Sequence, residues 1–318
     1  MKWNCRLRDN ASYLSTADCE PRHATWRVRR LLAFASVALV ICLAIQTRSS
    51  SAERDAKAAG ASAFPDATNT GVPAGVALKA SRGLVINTPG AVIEGLDIKG
   101  SVIINAPNVT LKNCKVTDGG YDVVHVKPGI TGAVVQDCEI DNLGAGGSGI
   151  AGQGVFLRNN IHDCADGIDV RGDHTLIRDN FIHNMRGTAD SHLDGIQADG
   201  GFSNLSIIHN TVINEQNQTS AVMIDNYWGP IEGVTIDNNY LVGGGYTVYI
   251  NEVAKGQAGG GRVTNVTVTN NRIGAGSWGV FDLRSELGLV PILSGNINAT
   301  TGDFLPGQHS NHPAMSRP

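Results

Sequence analysis

Short alternations of apolar and polar residues repeat along most of this chain. The segment GLVINTPGAVIEGLDIKG, at 83–100, aligns without a gap with SVIINAPNVTLKNCKVTD, at 101–118. Both segments place an Ile-Asn pair, a proline and two further apolar pairs at the same positions. Because successive side chains of a strand point to opposite faces, this pattern predicts short strands with one buried face each.

A looser form of the unit continues downstream, as an apolar residue, two variable residues, Asn or Cys, one more residue and a second apolar residue. Its matches are Leu111/Cys114/Val116, Val135/Cys138/Ile140, Phe156/Asn159/Ile161, Ile177/Asn180/Ile182, Ile207/Asn210/Val212, Ile236/Asn239/Leu241 and Val268/Asn271/Ile273. A further alternating strand lies between them, in the segments VVHVK, GIDVR, GIQAD, VMIDN, VYINE and VFDLR. Each unit therefore predicts three short strands, with the Asn or Cys at the bend between the second and the third.

Such a unit is typical of one coil of a parallel β-solenoid, in which coils stack at roughly 4.8 Å. The chain resembles the right-handed parallel β-helix proteins of the pectate lyase and polygalacturonase (pectin lyase-like) superfamily over roughly residues 64–300. The predicted fold class is therefore all-β, a right-handed parallel β-helix of about nine coils, preceded by an N-terminal signal or anchor helix.

The repeated Asn and Cys residues have structural explanations. Stacked Asn side chains at a bend predict an amide ladder that satisfies backbone groups. Cys114 and Cys138 occupy the same place in successive coils, where either a stack of reduced thiols or a disulfide fits the separation. The sequence has no CxxC or His/Cys spacing that is typical of a zinc site.

The composition agrees with a solenoid and excludes one class of partner. Gly at 39 residues and only 5% aromatic residues suit short strands joined by tight turns. The net charge of −4 leaves no basic surplus to neutralise phosphates, so we expect no nucleic-acid partner. We expect a monomer.

An apolar run, LLAFASVALVICLAI at 31–45, follows Arg27, Arg29 and Arg30. Basic residues before an apolar run of this length are typical of a signal peptide or a transmembrane anchor. We therefore expect a secreted or membrane-anchored, extracytoplasmic protein, in contact with the membrane if the segment is not cleaved. The predicted organisation is a basic segment at 1–30, the signal or anchor at 31–45, a linker at 46–63, the β-helix domain at 64–300 and a C-terminal tail at 301–318.

Identical positions in successive coils form rows along a solenoid. The predicted inward row is Ile86, Ile104, Val126, Gly152, Val170, Ala198, Ile224, Ile250 and Leu283. The outward row after it is Asn87, Asn105, Lys127, Gln153, Arg171, Asp199, Asp225, Asn251 and Arg284, and the row before it is Val85, Ile103, His125, Ala151, Asp169, Gln197, Met223, Tyr249 and Asp282. Charged and amide residues concentrate in the middle coils. In the resembled superfamily this face and its flanking loops bind the glycan.

Long polar loops and several acidic residues lie near the same coils. The loops are at 184–193, 214–220 and 253–262, and long excursions on a tight repeat are where solenoids usually place function. Asp199 and Asp225 are like charges one coil apart, so they must share a proton, bind a cation or be relieved by a neighbour such as Arg171. These two carboxylates are candidate ligands of calcium, although the sequence does not require a cofactor.

Two resemblances concern the reaction. Asp194 in LDGIQ is similar to the polygalacturonase N-T-D-G segment, but that family's Asp-Asp pair and Gly-His-Gly segment have no match here. The D-x-H-x-D string at Asp190, His192 and Asp194 loosely resembles the Asp-Pro-His-Asp segment of alginate epimerases. That resemblance implies His192 as the base, with Lys127 and Arg171 neutralising a uronate carboxylate.

From the sequence we expect a lyase or epimerase that acts on a glycan containing uronic acid. The alternatives are a glycoside hydrolase with paired Asp residues and a non-catalytic carbohydrate-binding or adhesive surface solenoid. The predicted catalytic residues are His192, Asp190, Asp194 and Arg171. The predicted substrate-binding residues are Lys127, Asp169, Gln197, Asp199, Asp225, Tyr249 and Asn251, and the predicted metal ligands are Asp199 and Asp225.

Overall fold

The computed structural model describes residues 63–254 and 260–306, and these residues form strands and no helix. No helix in this part of the chain is therefore long and apolar enough to cross a membrane. The predicted signal or anchor at 31–45 and most of the predicted linker lie outside the described residues.

The strands are short because each crosses one face of a coil. In chain order they are β1 (Lys79–Ile86), β2 (Val92–Glu94), β3 (Leu96–Ile104), β4 (Thr110–Lys112), β5 (Lys115–Thr117), β6 (Asp122–Val126), β7 (Val134–Gln136), β8 (Glu139–Asp141), β9 (Ser148–Gly152), β10 (Val155–Leu157), β11 (Asn160–His162), β12 (Asp166–Val170), β13 (Leu176–Arg178), β14 (Phe181–His183), β15 (Ile196–Ala198), β16 (Phe202–Ile208), β17 (Thr211–Asn214), β18 (Val222–Asp225), β19 (Ile231–Asp237), β20 (Tyr240–Gly243), β21 (Tyr246–Glu252), β22 (Val263–Thr269), β23 (Arg272–Gly274), β24 (Gly279–Ser285), β25 (Ile292–Ser294) and β26 (Ile297–Asn298).

These strands stack in parallel on three faces of a β-helix. One face is a nine-stranded sheet, in the order β2-β4-β7-β10-β13-β16-β19-β22-β25. The other two faces are joined by β1 and β3, each of which runs through the bend between them. The nine stacked strands in the described part of the chain confirm the predicted number of coils.

The predicted register is confirmed along the chain. Val85 pairs with Ile103, and the two 18-residue segments overlay as the sequence indicated. The inward row is buried, with the exception of Leu283, which is 42% exposed. Leu283 lies on β24, which within the described residues has β21 as its neighbour on one side only, so no further coil covers it.

The Asn residues of the repeat form the predicted amide ladder. In each rung the Nδ2 of one Asn donates to the Oδ1 of the next, as Asn159 does to Asn180 over 3.0 Å. The ladder continues through Asn210, Asn239, Asn271 and Asn296, and all of them are fully buried. Each Oδ1 also accepts a backbone N–H of the preceding coil, as that of Asn180 does from Asn159. Cys114 and Cys138 continue the column as buried free thiols.

The segment before β1 packs along one face of the solenoid. The Phe64 ring stacks on His209 with 5.4 Å between ring centroids, and the Arg272 guanidinium lies 5.6 Å from the Phe64 centroid. Several coils earlier, the backbone N–H of Gly71 donates to the carbonyl of Arg158 over 2.9 Å. This segment therefore contacts several coils of the solenoid.

Candidate functional site

The outward side chains of β6, β9, β12, β15, β18, β21 and β24, with the residue after each strand, form what we call the carboxylate face. Its two rows pair as the sequence predicted, because Asp169 pairs with Ala151 and Gln197, and Gln197 pairs with Met223. The register then continues through Tyr249 to Asp282. The buried apolar row beneath fixes this register, since a shift of one residue would place polar side chains in the core.

A sharp bend at the start of these strands adds a third row. Gly167 and Ile168 are consecutive and both buried, so strict alternation fails there. A Cβ on Gly167 would lie 2.4 Å from the Ile182 Cγ2, so only glycine fits at this corner. The residue before the bend is therefore partly exposed, and this brings Asp122 and Asp166 onto the carboxylate face.

Arg171 organises the acids at one end of the face. Its guanidinium lies 2.6 Å from Oδ2 of Asp169 and 3.1 Å from Oδ1 of Asp122. Asp122 also pairs with Nδ1 of His125, and the Tyr121 ring lies 5.9 Å from the Arg171 guanidinium. The suggestion that Arg171 relieves Asp199 is wrong, because its guanidinium is engaged by these other two carboxylates.

Asp194 is a buried carboxyl group. It is 1% exposed, and its Oδ1 accepts a hydrogen bond from the Ser220 hydroxyl over 2.5 Å. Burial raises the pKa of Asp194 to about 7, although the Ser220 hydrogen bond acts in the opposite direction. Asp194 therefore lies among the acids of the carboxylate face, but it is buried and does not contact solvent. Burial, and then the charge of Asp194, also raise the pKa of Asp166.

Asp199 and Asp225 lie in the middle of the face on neighbouring coils. Asp199 accepts a hydrogen bond from Gln197 over 2.8 Å, and Asp225 accepts one from the backbone N–H of Tyr227 over 2.6 Å. Burial, followed by the charges of Asp225 and Asp169, raises the pKa of Asp199 to about 7. Within the described residues no cationic side chain forms an ion pair with Asp199 or Asp225. The raised pKa of Asp199 favours its protonated form near neutral pH, and a shared proton and a bound cation both stay predictions for this pair.

The other end of the face combines polar and aromatic groups. Asn251 pairs in register with Asp225 on one side and with Arg284 on the other. Arg284 forms an ion pair with Asp282 over 3.2 Å. The Tyr249 ring contacts Tyr246 edge to face at 5.5 Å, and Trp278 lies next to Tyr246 at 6.0 Å.

Three predicted residues lie at the margin of this arrangement. Asp190 and His192 are exposed on the loop before β15, and neither forms an ion pair with another described residue. Lys127 is exposed directly after β6. The structure brings Asp169, Arg171, Asp194 and Asp199 onto one face, while His192 keeps its predicted role as a hypothesis.

Potential metal ligands cluster elsewhere. Among the described residues, the group of three or more His, Cys, Asp and Glu ligands with mutual distances within 4.8 Å is Asp141, His162 and Asp163. Arg186 lies 2.6 Å from Asp163, so this cluster already contains a neutralising cation. Asp199 and Asp225 remain a two-carboxylate hypothesis for calcium.

Comparison with known families agrees with this architecture. The family model for the right-handed β-helix region matches residues 95–277. The chain belongs to this right-handed β-helix family. No curated protein matches the chain. The family assignment gives the hand of the coils and does not identify a substrate or an activity.

Sequence reasoning missed several members of the face. Asp122 and Asp166 would point inward under strict alternation, and only the paired small residues of the D-G-I segments could have indicated the bend. Tyr121, Trp228 and Trp278 lie at the ends of the strands rather than in a row, and Trp228 donates its backbone N–H to the carbonyl of Asp199 over 2.8 Å. In the structure these three residues are recognised as large aromatic side chains that are exposed beside a polar face.

Proposed function

We propose that this protein binds a polysaccharide along the carboxylate face and hydrolyses it, with Asp199 as the general acid and Asp169 as its carboxylate partner. The observation behind this proposal is that these two carboxyl groups have opposite surroundings. Asp199 has a pKa of about 7 and no cationic partner among the described residues, whereas Asp169 is held by Arg171. A glycosidase needs one protonated and one ionised carboxyl group across the scissile bond.

The register supports this assignment. Asp169 pairs with Gln197 on the neighbouring coil, and Asp199 follows two residues later on the same side of its strand. Burial raises the pKa of Asp169 above its usual value, and the charge and hydrogen bond of Arg171 limit this rise and so favour the ionised form. The outward position of both side chains leaves them accessible to a chain lying along the face.

A second candidate is proton abstraction from a uronic acid sugar, by a lyase or an epimerase. The pair of His125 and Asp122 beside Arg171 favours it, because an imidazole oriented by a carboxylate is a suitable base next to a cation. His192 with Asp190 is the base predicted from the sequence for the same reaction. Against this candidate, Arg171 already neutralises two carboxylates, and the face carries more acids than bases.

The proposed setting is extracytoplasmic, either secreted or anchored by the segment at 31–45. The support comes from the basic residues and the apolar run in the sequence. We propose a monomer that acts on polysaccharide, with no nucleic-acid partner. Fractionation of a tagged chain tests the location, and recovery of the full-length protein from soluble cytoplasm would contradict it.

The reaction is tested with a panel of neutral and uronate polysaccharides. Hydrolysis yields new reducing ends alone, whereas a lyase also forms an unsaturated product that absorbs in the ultraviolet. We expect Asp199→Asn and Asp169→Asn each to slow release of reducing ends by at least about a hundredfold, while Glu232→Gln, on the exposed side of β19, leaves it unchanged. An unsaturated product that is lost in His125→Ala or His192→Ala would favour the second candidate.

Two further outcomes of this panel are decisive. Binding with no new reducing ends, no unsaturated product and no inversion at C5 of a uronate, the last read by proton NMR, would assign the protein to the carbohydrate-binding solenoids and contradict hydrolysis. Loss of activity on chelation with recovery on adding Ca²⁺, abolished in Asp225→Asn, would assign calcium to Asp199 and Asp225.

A further inference from the structure

The carboxylate face contains one buried acceptor and one buried donor that have no hydrogen-bond partner. Within the described residues, Oδ1 of Asn251 accepts no hydrogen bond and Nε of Arg284 donates none. Asn251 is only 6% exposed, so its acceptor lies unsatisfied in a desolvated position. An unmade hydrogen bond at such a position costs free energy, which a bound group that supplies the partner would recover.

These two atoms belong to adjacent positions of one row. Asn251 and Arg284 pair in register across β21 and β24, in the outward row that also contains Asp225. They do not bond to each other, because the Arg284 guanidinium is turned to Asp282 through Nη2. A ligand at this position therefore meets an acceptor and a donor side by side.

The chemistry of the pair selects among ligand groups. A hydroxyl group donates one hydrogen bond and accepts others, so it satisfies Asn251 and Arg284 together. A carboxylate cannot donate to Asn251, and it would lie beside the acids Asp225 and Asp282. An ammonium group cannot accept from Arg284, whose positive charge would also repel it.

The charges along the rest of the carboxylate face also favour an uncharged ligand. Arg171 is engaged by Asp122 and Asp169, and Arg284 by Asp282, so neither guanidinium is left without an acidic partner. An anionic polymer would therefore meet mainly carboxyl groups in the middle coils. A neutral polymer would meet the protonated form of Asp199 without repulsion.

An aromatic group lies next to the pair. Tyr249 pairs in register with Asp282, the ion-pair partner of Arg284, and contacts Tyr246, which in turn contacts Trp278. Trp278 is 59% exposed. The exposed ring of Trp278 offers an apolar face to the C–H groups of a sugar ring, while its indole N–H remains available for a hydrogen bond.

We propose that Asn251 and Arg284, with the aromatic group of Tyr246, Tyr249 and Trp278, form a subsite for an uncharged, hydroxyl-bearing sugar unit. This inference rests on the proposed function and narrows its substrate class to neutral glycans. The subsite lies on the coils that follow Asp225, so a chain bound there extends from it along the face towards Asp199.

Calorimetric titration tests the subsite with defined hexasaccharides. The neutral probes are derived from cellulose, xylan, mannan and galactan, and the acidic probes are hexamers of galacturonate and mannuronate. We expect a neutral hexasaccharide to bind at least about tenfold more tightly than either acidic one. Failure of every neutral probe to bind, or tighter binding of an acidic one, overturns the inference.

Two variants separate this subsite from general binding. Arg284→Lys keeps the positive charge facing Asp282 and removes the Nε donor, and Asn251→Ala removes the acceptor. Each should weaken binding of the neutral hexasaccharide about threefold to tenfold, the range for one lost hydrogen bond. Asn105→Ala, in the same row at the far end of the solenoid, is the matched control and should bind as the parent does. Unchanged affinity in both subsite variants overturns the inference.

The outcome for this subsite is distinct from the outcome for hydrolysis. Binding is measured on the parent and on Asp199→Asn, which should retain the subsite. Neutral binding that depends on Asn251 and Arg284, with no reducing ends released, would refute hydrolysis and support the subsite. Hydrolysis that is equally efficient in the parent, Asn251→Ala and Arg284→Lys would support the proposed function and refute the subsite.

Discussion

Arg171 reaches across a whole coil to Asp122. Nη2 of Arg171 lies 3.1 Å from Oδ1 of Asp122, although the coil of β9 lies between them. That coil presents Ala151 in the row of Asp169 and Ser148 in the row of Asp122, and these small residues leave the path of the long side chain open. Arg171 can therefore hold Asp169 and Asp122 at the same time.

Replacing Arg171 should move the acidic limb of the activity profile. Arg171→Met removes the cation that lowers the pKa of Asp169, so this pKa should rise further. The proposed role of Asp169 needs its ionised form, and a higher pKa means that a higher pH is required to populate that form. We expect the acidic limb of kcat/KM against pH to move to higher pH. Arg178→Met, on the exposed side of β13, should leave the limb in place, and an unmoved limb in Arg171→Met would remove Asp169 from this role.

The alkaline limb should report Asp199. Its pKa is about 7, and a general acid must be protonated, so activity should fall as the pH rises through about 7. Asp225→Asn removes a charge that raises the pKa of Asp199, and we expect this limb to move to lower pH. Asp199→Asn should lower kcat by roughly 10²- to 10⁴-fold, the usual contribution of a general acid. An alkaline limb that stays in place in Asp225→Asn would contradict the assignment.

Asp194 should make the stability of the protein depend on pH. Its folded-state pKa is about 7, and the unfolded value is about 3.9, so between these values the folded state binds more protons. Stability is therefore lost as the pH rises from about 4 to about 7. Asp194→Asn should flatten this part of the profile, measured as the urea midpoint against pH. Ser220→Ala should steepen it, because the hydrogen bond from Ser220 lowers the pKa of Asp194. A profile that is equally steep in Asp194→Asn and the parent would contradict this account.

The rows of the solenoid could be predicted because the sequence repeats its own core. Ile86, Ile104 and Ile224 are inward at equivalent positions, and burying them fixes the register of every polar residue between them. Position in a row, however, does not determine where a long side chain ends. Arg171 and Asp199 occupy one row, yet Arg171 turns to Asp169 on its own coil and to Asp122 two coils earlier, and the small side chain of Ala151 leaves room for this.

The alternation of apolar and polar residues could not predict the positions of side chains in the loops or at the bend. Asp194 follows a long loop, and Ser220 of the next coil donates a hydrogen bond to its carboxyl group. His192, two residues earlier in that loop, is exposed. Asp166 reaches the carboxylate face because Gly167 and Ile168 both point inward, and a period of two cannot represent two consecutive inward residues. Local packing at the corner therefore decides the third row of acids.

Gly195 should tolerate no side chain, because it occupies the bend between Asp194 and the start of β15. A Cβ there would lie 2.2 Å from Cγ1 of Val212 and 2.6 Å from the carbonyl oxygen of Ala221. Gly195→Ala should therefore lower the free energy of unfolding by roughly 1–3 kcal/mol, the range for overpacking, as measured by urea denaturation. It should also reduce polysaccharide cleavage, since β15 leads to Asp199.

The matched control for this substitution is Gly119→Ala, whose Cβ would make an ordinary contact of 3.6 Å with the Ala145 Cβ. We expect it to unfold as the parent does. Adding Val212→Ala to Gly195→Ala removes the clash with the Val212 side chain, but the clash with the main-chain oxygen of Ala221 remains. The double variant should therefore remain less stable than Val212→Ala alone. Equal midpoints for Gly195→Ala and the parent would show that the bend can relax, and would remove the steric reason for glycine in the D-G-I segments.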